Sequence, residues 1–557
     1  MTQRWLRFVP ASLVTLAWVL TMLAPPSVKP LAGELAAVVL GCLAAATALF
    51  GGAPMPRTLR GAAIAYGIGL IALGIGVVAH PGALQSALGA VGQHNGWFLW
   101  ASLPLWVFAA ASAGGGKPAR MTLWSLAMLG GVVAVFALLD AAHVYEPAAR
   151  YSPEVAGLLE SSVSLGQVLL LTLGATTAAL FVEENVGVRV GAGALVALEV
   201  AALAVSGARG AQMAFFVGLV LFGLWWLSPR MSRMARRWLA VAGVAVLVVG
   251  AVFIAYAAAG GPTAPGMATA DRLLTQRVTI WHSAAAHVPK DLIVGAGSDR
   301  FSAVVTWNVV PGGSLTYNMT TSPHDVVLDW LVSGGLIAAL AMLTAFALAG
   351  WRVTTSPRAA FVGTKAIGVA LAAWALSLLL SWVDPLSLIV AGVLLGGLFA
   401  SPRSAGAEHT ASDSHRYGEY AAAAALVIVA VAVAVVGARL FALERAWARE
   451  SAQGAQPSAA TAVARWNEWH DPAFAVSALA AAQASGDTTA ASGVAAQAMQ
   501  SIPWSAQTAL ACAEMAAGMG SNAPAGMPSL AACLAAGRVA DPASGMWDRI
   551  QQLVTGR

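Results

Sequence analysis

The sequence predicts an all-α protein that crosses a membrane many times. Of its 557 residues, 59% are hydrophobic and only 10% are charged, and the mean hydropathy is +0.74. An ordinary soluble domain carries roughly 25% charged residues. Such a chain has too few polar groups to cover its apolar surface in water, which excludes a soluble enzyme, a disordered tail protein and a collagen-like chain.

Apolar runs near 20 residues recur along the chain, and each is long enough to cross a hydrocarbon core of about 30 Å. The first run follows Arg4 and Arg7, as in a signal peptide, but it ends without a small-residue cleavage site, so we interpret it as a retained span. We predict about 13 transmembrane helices, at 8–24, 31–50, 61–79, 96–113, 121–141, 163–182, 190–206, 210–228, 238–258, 325–350, 361–382, 386–400 and 419–440.

The basic residues predict the orientation, because Lys and Arg accumulate on cytoplasmic loops. With the N-terminus inside, the basic loops all fall on one side without any reversal. Loops 80–95, 142–162 and 259–324 and everything after about 445 then lie outside. We therefore predict a multi-pass protein of a bacterial inner (plasma) membrane, with the outer loops in the periplasm. The pI near 9.3 reflects this topology, so the expected partner is the lipid bilayer and not nucleic acid.

The outer side is predicted to carry two larger segments. One is the long periplasmic loop 259–324 within the transmembrane domain, 1–444, and loops of this length are usually functional or disordered. The other is a C-terminal helical periplasmic domain, 445–557, whose runs at 472–485, 488–500 and 505–517 resemble tetratricopeptide helix pairs. That domain either steadies the outer face or docks an acceptor. Its two cysteines, Cys512 and Cys533, either form a disulfide or stay free.

Arginines are scarce on the outer side, so their positions are informative. Arg209 stands between two apolar runs, where it either lines a water-filled cleft or only snorkels at a helix end. The long loop adds Arg272, Arg277 and Arg300. A guanidinium suits bidentate binding of phosphate oxygens. Two that converge from different segments would form a diphosphate clamp.

The loop also holds an aromatic residue and a histidine at informative positions. Arg277 and Trp281 are four residues apart and share a face if 271–287 is helical, as its pattern indicates. His324 stands between Pro323 and an apolar run, at the start of a helix on the membrane surface. A neutral imidazole there can take a proton from an attacking hydroxyl, although a histidine taken alone is more often structural.

The chain has no motif for a metal or a nucleotide. His282 and His287 are five residues apart without a carboxylate partner at helical spacing, and no Asp-x-Asp pair lies on an outer loop. No Walker loop or dinucleotide-binding fingerprint occurs. We therefore predict no metal and no cofactor. The leaving group has to come with the substrate.

In this order the pieces resemble the O-antigen ligase and polymerase superfamily over most of the chain. The resemblance rests on Ser-x-x-Arg-Gly, on Arg-x-x-x-Trp with a later Gly-x-Gly-x-x-x-Phe turn, and on a histidine before a span with a glycine pair. In this chain these are Arg209, Arg277, Trp281, Gly295, Gly297, Phe301, His324 and Gly334-Gly335-Leu336. Family members commonly have Asn, Ser or Thr directly before the histidine and Glu before the later glycine, where this chain has Pro323 and Ser333.

The resemblance implies a metal-independent, inverting glycosyltransferase that moves a glycan from undecaprenyl diphosphate to an acceptor hydroxyl on the periplasmic face. It implies that Arg209 and Arg277 hold the diphosphate and that His324 activates the acceptor or assists departure of the diphosphate. The transmembrane domain is then the catalytic one. The expected substrate-binding residues are Arg272, Trp281, Gly295, Gly297 and Arg300.

The acceptor stays open at this point. The span 419–440 followed by an outer helical domain, and the pair Asp384-Pro385, resemble bacterial protein O-oligosaccharyltransferases that glycosylate pilins. Their Gln-Asn-Asn-Leu-Gly motif is reduced here to Leu165-Gly166. The acceptor is a pilin-like protein, lipid A-core or another glycan chain, the last two as in O-antigen ligases and polymerases.

Two hypotheses from other functional classes compete with glycan transfer. A lipid or sugar transporter tends to show two related halves, of which the sequence has no sign. A non-catalytic scaffold leaves the outer arginines and His324 unexplained. Glu199 is the one carboxylate near the middle of a predicted span. In a transporter it could belong to a proton relay, but we expect it to be a buried carboxyl that is hydrogen-bonded between helices.

Overall fold

The structure is a computed structural model with eighteen helices in its described part. These are α1 (Val9–Leu23), α2 (Lys29–Phe50), α3 (Arg60–Ala79), α4 (Ala83–Leu88), α5 (Trp97–Ala113), α6 (Lys117–Ala141), α7 (Ser162–Val182), α8 (Val186–Val205), α9 (Arg209–Leu227), α10 (Val326–Thr355), α11 (Val362–Ser377), α12 (Pro385–Phe399), α13 (Asp413–Ala452), α14 (Ala459–Trp469), α15 (Pro472–Ala484), α16 (Thr488–Ser501), α17 (Ala506–Met519) and α18 (Leu530–Ala540). The described residues are 8–24, 29–50, 57–79, 83–89, 96–114, 116–146, 154–159, 161–227, 234, 277, 280–281, 284, 288, 292–298, 301, 322–355, 361–400, 413–452, 458–469, 472–484, 486–501, 506–519, 527–540, 547–548 and 551–552.

Eight helices in this part of the chain are long and apolar enough to cross a membrane, namely α2, α3, α6, α7, α8, α10, α11 with its 3-10 extension to Leu380, and α13. Four shorter apolar helices, α1, α5, α9 and α12, coincide with further predicted spans. The predicted span 238–258 lies outside the described residues. The predicted all-helical architecture is therefore confirmed for the described residues, and eight of their helices could cross a membrane. The number of spans and their orientation stay predictions.

The spans pack in pairs that are distant in sequence. α10 lies along α3, α11 along α7, α12 along α5 and α13 along α2. Small residues allow these approaches, because a Cβ added at Gly174 would lie 2.3 Å from Ala370 Cβ and one at Gly396 would lie 2.3 Å from the Val107 carbonyl oxygen. Lipid is as apolar as the helix surfaces, so close contact of this kind supplies the association.

Glu199 is fully buried where α6, α7 and α8 meet. Its Oε1 accepts a hydrogen bond from Thr176 Oγ1 at 3.0 Å, and a Cβ added at Gly130 of α6 would lie 2.2 Å from the same oxygen. The prediction of a carboxyl hydrogen-bonded between helices is confirmed.

The last span continues into the C-terminal helices. α13 has 40 residues, which at about 1.5 Å per residue is roughly 60 Å and longer than a membrane crossing. Near its end Glu444 forms a buried bidentate ion pair with Arg465 of α14, at 2.8 and 2.7 Å. The Arg465 guanidinium also stacks over Trp447, 4.5 Å from the ring centroid. These contacts tie α14 to the end of α13.

Helices α14 to α18 build a second core against the spans. Trp466 is buried in this core together with Leu31 of α2 and Leu88 of α4. A disulfide joins Cys512 of α17 to Cys533 of α18. The predicted helical runs coincide with α15, α16 and α17. The likeness to tetratricopeptide repeats and the boundary at 445 stay predictions.

Candidate functional site

The scaffold of the candidate site is a break in α10. Gly335 has φ 71° and ψ −171°, which interrupts the helix. The Leu336 N–H therefore turns away from its helical acceptor, Val332, and donates to the Leu292 carbonyl at 2.8 Å. The carbonyls of Val332 and Ser333 instead accept from the N–H groups of Ala296 and Gly297, at 2.7 and 2.9 Å. The Gly-x-Gly turn is thus bonded to the interrupted helix.

Glycines are required because backbones meet here at close range. Gly295 has a positive φ of 73°, and a Cβ on it would lie 2.5 Å from the Ser333 carbonyl oxygen. A Cβ on Gly335 would lie 2.2 Å from the Ile293 carbonyl oxygen. On the other side α3 approaches through Gly76, where a Cβ would lie 2.7 Å from Ser333 O. Neither glycine motif tolerates a side chain without moving the turn away from α10.

We expect Gly335→Ala to lower the thermal stability of the purified protein and to reduce its yield. An L residue held in the left-handed region costs roughly 1–2 kcal/mol, and the clash with Ile293 O adds to this. Gly350→Ala is the matched control, because it lies in the same helix and a Cβ there meets nothing within 4 Å. Thermal unfolding in detergent compares the two. Equal melting temperatures would contradict the assignment.

The segment that carries Arg277 packs onto this scaffold. Its described residues Arg277, Ile280, Trp281 and Ala284 are helical, as predicted. Ile280 and Ala284 share a small core with Ala296, Phe301 and Val332. Trp281 is only 1% exposed, and its Nε1 donates to the Pro323 carbonyl at 3.0 Å. The indole therefore holds the chain at the residue directly before His324.

His324 adopts a left-handed backbone, with φ 52°. Positive φ is uncommon outside glycine, although histidine is among the residues enriched there. Both neighbours hold this conformation. Trp281 binds the carbonyl of Pro323, and Asp325 caps α10 by accepting from the N–H groups of Val327 and Leu328, each at 2.9 Å. Strain that is enforced from both sides is typical of functional sites.

The imidazole of His324 faces Trp382, with ring centroids 5.2 Å apart. Trp382 lies in the short turn between α11 and α12, and the buried side chain of Gln167 on α7 organises that turn. Gln167 Nε2 donates to Ser381 Oγ at 2.9 Å and to the Trp382 carbonyl at 2.5 Å. Its Oε1 accepts from the Asp384 N–H at 3.0 Å and from Ser387 Oγ at 2.9 Å. Gln167 thus positions the aromatic neighbour of His324.

We expect Gln167→Leu to lower the turnover number by about tenfold, which corresponds to roughly 1.4 kcal/mol. The reason is that Trp382 loses its support and His324 its fixed neighbour. Thr172→Val on the same helix is the control, since its buried hydroxyl only donates to the Leu169 carbonyl within α7, at 3.3 Å. Steady-state kinetics in vesicles compares the two variants. Equal kinetics for both would contradict a positioning role for Gln167.

Arg209 begins α9, and its corner is tightly packed. The preceding Gly207 has φ 68°. A Cβ added at Gly166 of α7 would lie 2.7 Å from Ala208 Cβ, so the glycine lets α7 reach this corner. Gln212 Nε2 donates to the Leu203 and Ala204 carbonyls, both at 3.0 Å, and so joins the end of α8 to α9. Arg209 itself is exposed at this rigid corner.

The three predicted catalytic residues interact electrostatically. Burial, and then the charge of Arg209, lower the pKa of the half-buried Arg277. Burial, and then the charge of Arg277, lower the pKa of His324 to about 4. Burial also raises the pKa of the neighbouring Asp325 to about 6. At neutral pH the cluster therefore combines two guanidinium cations with a neutral imidazole.

Within the described part of the chain no carboxylate forms an ion pair with Arg209 or Arg277. Two cations that repel each other, with no carboxylate paired to them among the residues described, attract an anion. A diphosphate fits this arrangement, because each guanidinium can bind phosphate oxygens in a bidentate manner.

The other predicted site residues take different places. Arg272 and Arg300 lie outside the described residues. Trp281 donates to a backbone carbonyl, and Gly295 and Gly297 lie where the turn meets α10. Gln167 and Trp382 belong to the site but are not predicted by the sequence. Their neighbours Leu165-Gly166 and Asp384-Pro385 carry the family resemblance, but no sequence signal indicates that the two segments meet.

Comparison with known proteins bears on this same region. Residues 193–343 match the family model described as O-antigen ligase. A search of curated proteins found no match. The matched segment begins in α8 and ends in α10, so it contains Arg209, Arg277, the Gly-x-Gly turn, His324 and the break at Gly335. This match, over part of the chain, supports the predicted resemblance to the O-antigen ligase and polymerase superfamily.

Proposed function

We propose that the protein transfers a glycan from undecaprenyl diphosphate to an acceptor hydroxyl on the periplasmic face of the inner membrane. The superfamily indicates glycan transfer by a membrane enzyme. The observation that carries the proposal is the cluster of Arg209, Arg277 and neutral His324. Two cations held near each other in a partly buried site repel, and a bound diphosphate relieves that repulsion.

In the proposed reaction the acceptor oxygen attacks the anomeric carbon of the glycan. The bond from that carbon to the diphosphate oxygen breaks, and its electron pair leaves with the lipid diphosphate. Arg209 and Arg277 stabilise the charge that gathers on the diphosphate. A ring nitrogen of His324 accepts the proton of the hydroxyl. A single displacement of this kind inverts the anomeric configuration, and it requires no metal in the proposal.

Trp281, Gly295 and Gly297 act as positioning residues in this proposal and not as substrate contacts. The indole N–H of Trp281 is engaged by the Pro323 carbonyl, and the Gly297 N–H by Ser333. They hold Arg277 and His324 in one place. Arg272 and Arg300 stay predicted helpers for the diphosphate.

For the acceptor we favour a pilin-like protein, so the proposed enzyme is a protein O-oligosaccharyltransferase. The support for this choice is the C-terminal part of the chain. The long α13 leads into helices α14 to α18, which share a second core with Leu31 and Leu88, and we assign these helices the docking of the acceptor. Lipid A-core and a growing glycan chain are the alternatives within the superfamily.

The experiment uses purified protein in vesicles that contain a glycan linked to undecaprenyl diphosphate. A pilin-like protein, lipid A-core and a free glycan acceptor are offered in parallel, without nucleotide and without an ion gradient. We expect glycan on the pilin-like protein and release of undecaprenyl diphosphate, and at least about a hundredfold slower product formation with His324→Ala. Transfer only to lipid A-core or to glycan would overturn the acceptor assignment, and absence of transfer to all three would overturn the proposal.

The pKa of His324 predicts how the rate depends on pH. In the free enzyme the imidazole stays neutral above about pH 4, so the acid limb of kcat/KM lies near that value. Bound diphosphate offsets the charge of Arg277 and raises the pKa of His324. We therefore expect the acid limb of kcat at a higher pH than that of kcat/KM. Coincident limbs in rate measurements across this range would contradict the electrostatic coupling.

A further inference from the structure

The turn Leu292-Ile293-Val294 exposes three apolar side chains beside the break in α10. Their exposed fractions are 43%, 69% and 37%. The turn is tied to α10 by the bond from Leu336 N–H to the Leu292 carbonyl. On its other side lies α3, where a Cβ added at Gly76 would be 3.2 Å from the Val294 carbonyl oxygen. The depth of this turn relative to the two spans decides what covers its side chains.

Two helices give independent measures of that depth. α3 has 20 residues, about the length of one membrane crossing, and Gly76 lies three residues before its end. At about 1.5 Å per residue, this is roughly 5 Å inside the hydrocarbon boundary. α10 has 30 residues, more than one crossing needs. If Arg352 marks the inner boundary, about 20 residues counted back from it reach Val332, and the first turns of α10 extend beyond the hydrocarbon. Gly335 then also lies roughly 5 Å inside the same boundary.

The spans expose apolar side chains to lipid at this same level. Ile75 and Val78 of α3 are 50% and 77% exposed, and Leu336 and Ile337 of α10 are 43% and 50% exposed. The turn between these two helices therefore continues a lipid-facing surface. We propose that Leu292-Ile293-Val294 is a shallow re-entrant wedge whose side chains contact the acyl chains of the bilayer just below the headgroups.

The backbone of the turn fits such a position. Irregular backbone at membrane depth is tolerated where its polar groups are satisfied by protein. The Leu292 carbonyl and the N–H groups of Ala296 and Gly297 are all hydrogen-bonded to α10. These bonds hold the backbone on both sides of the exposed side chains against α10.

The wedge has a consequence for the nearby arginine. Ala296, which follows the wedge, shares a core with Ile280 and Ala284, and Ile280 lies one turn from Arg277. The wedge is therefore joined through this core to the segment that carries Arg277. The contact with lipid requires neither the glycan donor nor the glycan acceptor. It therefore goes beyond the proposed function and is tested separately from it.

The test places a fluorescent nitrobenzoxadiazole label on the wedge in full-length protein. Cys42→Ala removes the one free cysteine, since Cys512 and Cys533 are disulfide-bonded. Ile293→Cys carries the label, and Leu292→Cys is a second position in case the first variant folds poorly. Val78→Cys at the same level and Ser458→Cys, at the exposed residue directly before α14, are the references. The vesicles contain phosphatidylcholine and phosphatidylglycerol and no polyprenyl lipid.

We expect the labels at 292 and 293 to emit at shorter wavelength than the label at 458. They should lose intensity with nitroxide placed near the headgroup end of the acyl chain, as the label at 78 does, and resist aqueous iodide. Emission and iodide quenching equal to those at 458 would overturn the proposal. A label shielded from both quenchers would overturn it too, because a second copy or another protein segment would then cover the turn. Quenching that appears only after polyprenyl diphosphate is added would also overturn it.

Discussion

Replacing Arg277 with Gln is expected to lower the transfer rate by about 10²–10³, the usual loss when one preorganised electrostatic donor is removed. The side chain is half-buried, and burial and the charge of Arg209 both lower its pKa. Its positive charge is therefore unfavourable in the empty site. It becomes favourable only when negative charge gathers on a leaving diphosphate, which is the condition for accelerating the reaction.

The same argument predicts the stability of this variant. Because Arg277→Gln removes a charge that burial and Arg209 oppose, we expect a melting temperature equal to or above that of the native protein. Arg352→Gln is the matched control, since it removes an exposed arginine from the last turn of α10, at the opposite end of that helix. It should leave the rate unchanged. A native rate for Arg277→Gln would contradict the clamp. A large loss of stability that accounts for the whole loss of rate would contradict it too.

Arg209 provides a further check on this interpretation. If both arginines bind one diphosphate, the double variant Arg209→Gln/Arg277→Gln should lose less than the product of the two single losses, because residues that act as a unit are not additive. Independent, multiplicative losses would indicate that the two side chains serve different groups. The measurement is the transfer rate of the four proteins at saturating donor, in membranes with equal amounts of each.

The spans could be predicted from the sequence because the bilayer imposes a simple requirement. A run of about 20 apolar residues is enough to identify a helix, whatever the helix packs against. The bounds of α3 and α7 accordingly lie within one residue of the predicted runs. Pairing was beyond reach, because small residues such as Gly174 do not reveal which partner they approach.

In the candidate site, too, the residues could be predicted from the sequence but their contacts could not. Arg209, Arg277 and His324 could be named because each bears a chemistry that lipid-facing helices rarely carry. The bond from Gln167 to Trp382 joins residues far apart in the chain, and no spacing rule connects them. The exchange of hydrogen bonds at Gly335 also depends on where a distant turn docks.

Backbone groups explain why two departures from the family pattern are tolerable. Pro323 and Ser333 replace residue types that the superfamily commonly has beside the histidine and the glycine pair. In the structure both residues serve the site through their carbonyl groups, which accept from Trp281 Nε1 and the Gly297 N–H. Those bonds do not depend on the side chain. A comparison of side chains alone therefore overstates how different this site is.

Replacing His324 with Ala is expected to lower the rate by about 10²–10⁴, the usual contribution of a general base. His324→Asn separates this chemistry from the backbone. Asparagine, like histidine, is enriched at positive φ, so the variant keeps the conformation that Trp281 and Asp325 enforce, but its amide cannot accept the proton at neutral pH. We expect Asn to lose as much rate as Ala while the melting temperature stays near the native value.

A matched control exists for the unusual backbone. Among the described residues the other non-glycine residue with positive φ is His143, at 56°, on an exposed turn after α6. His143→Asn makes the same chemical change at the same backbone conformation and should leave transfer unchanged. If His324→Asn retained most of the native rate, the imidazole would only orient the acceptor, and the proton would leave by another route. Equal losses in Asn and Ala, with native rates in the control, require the basic nitrogen itself.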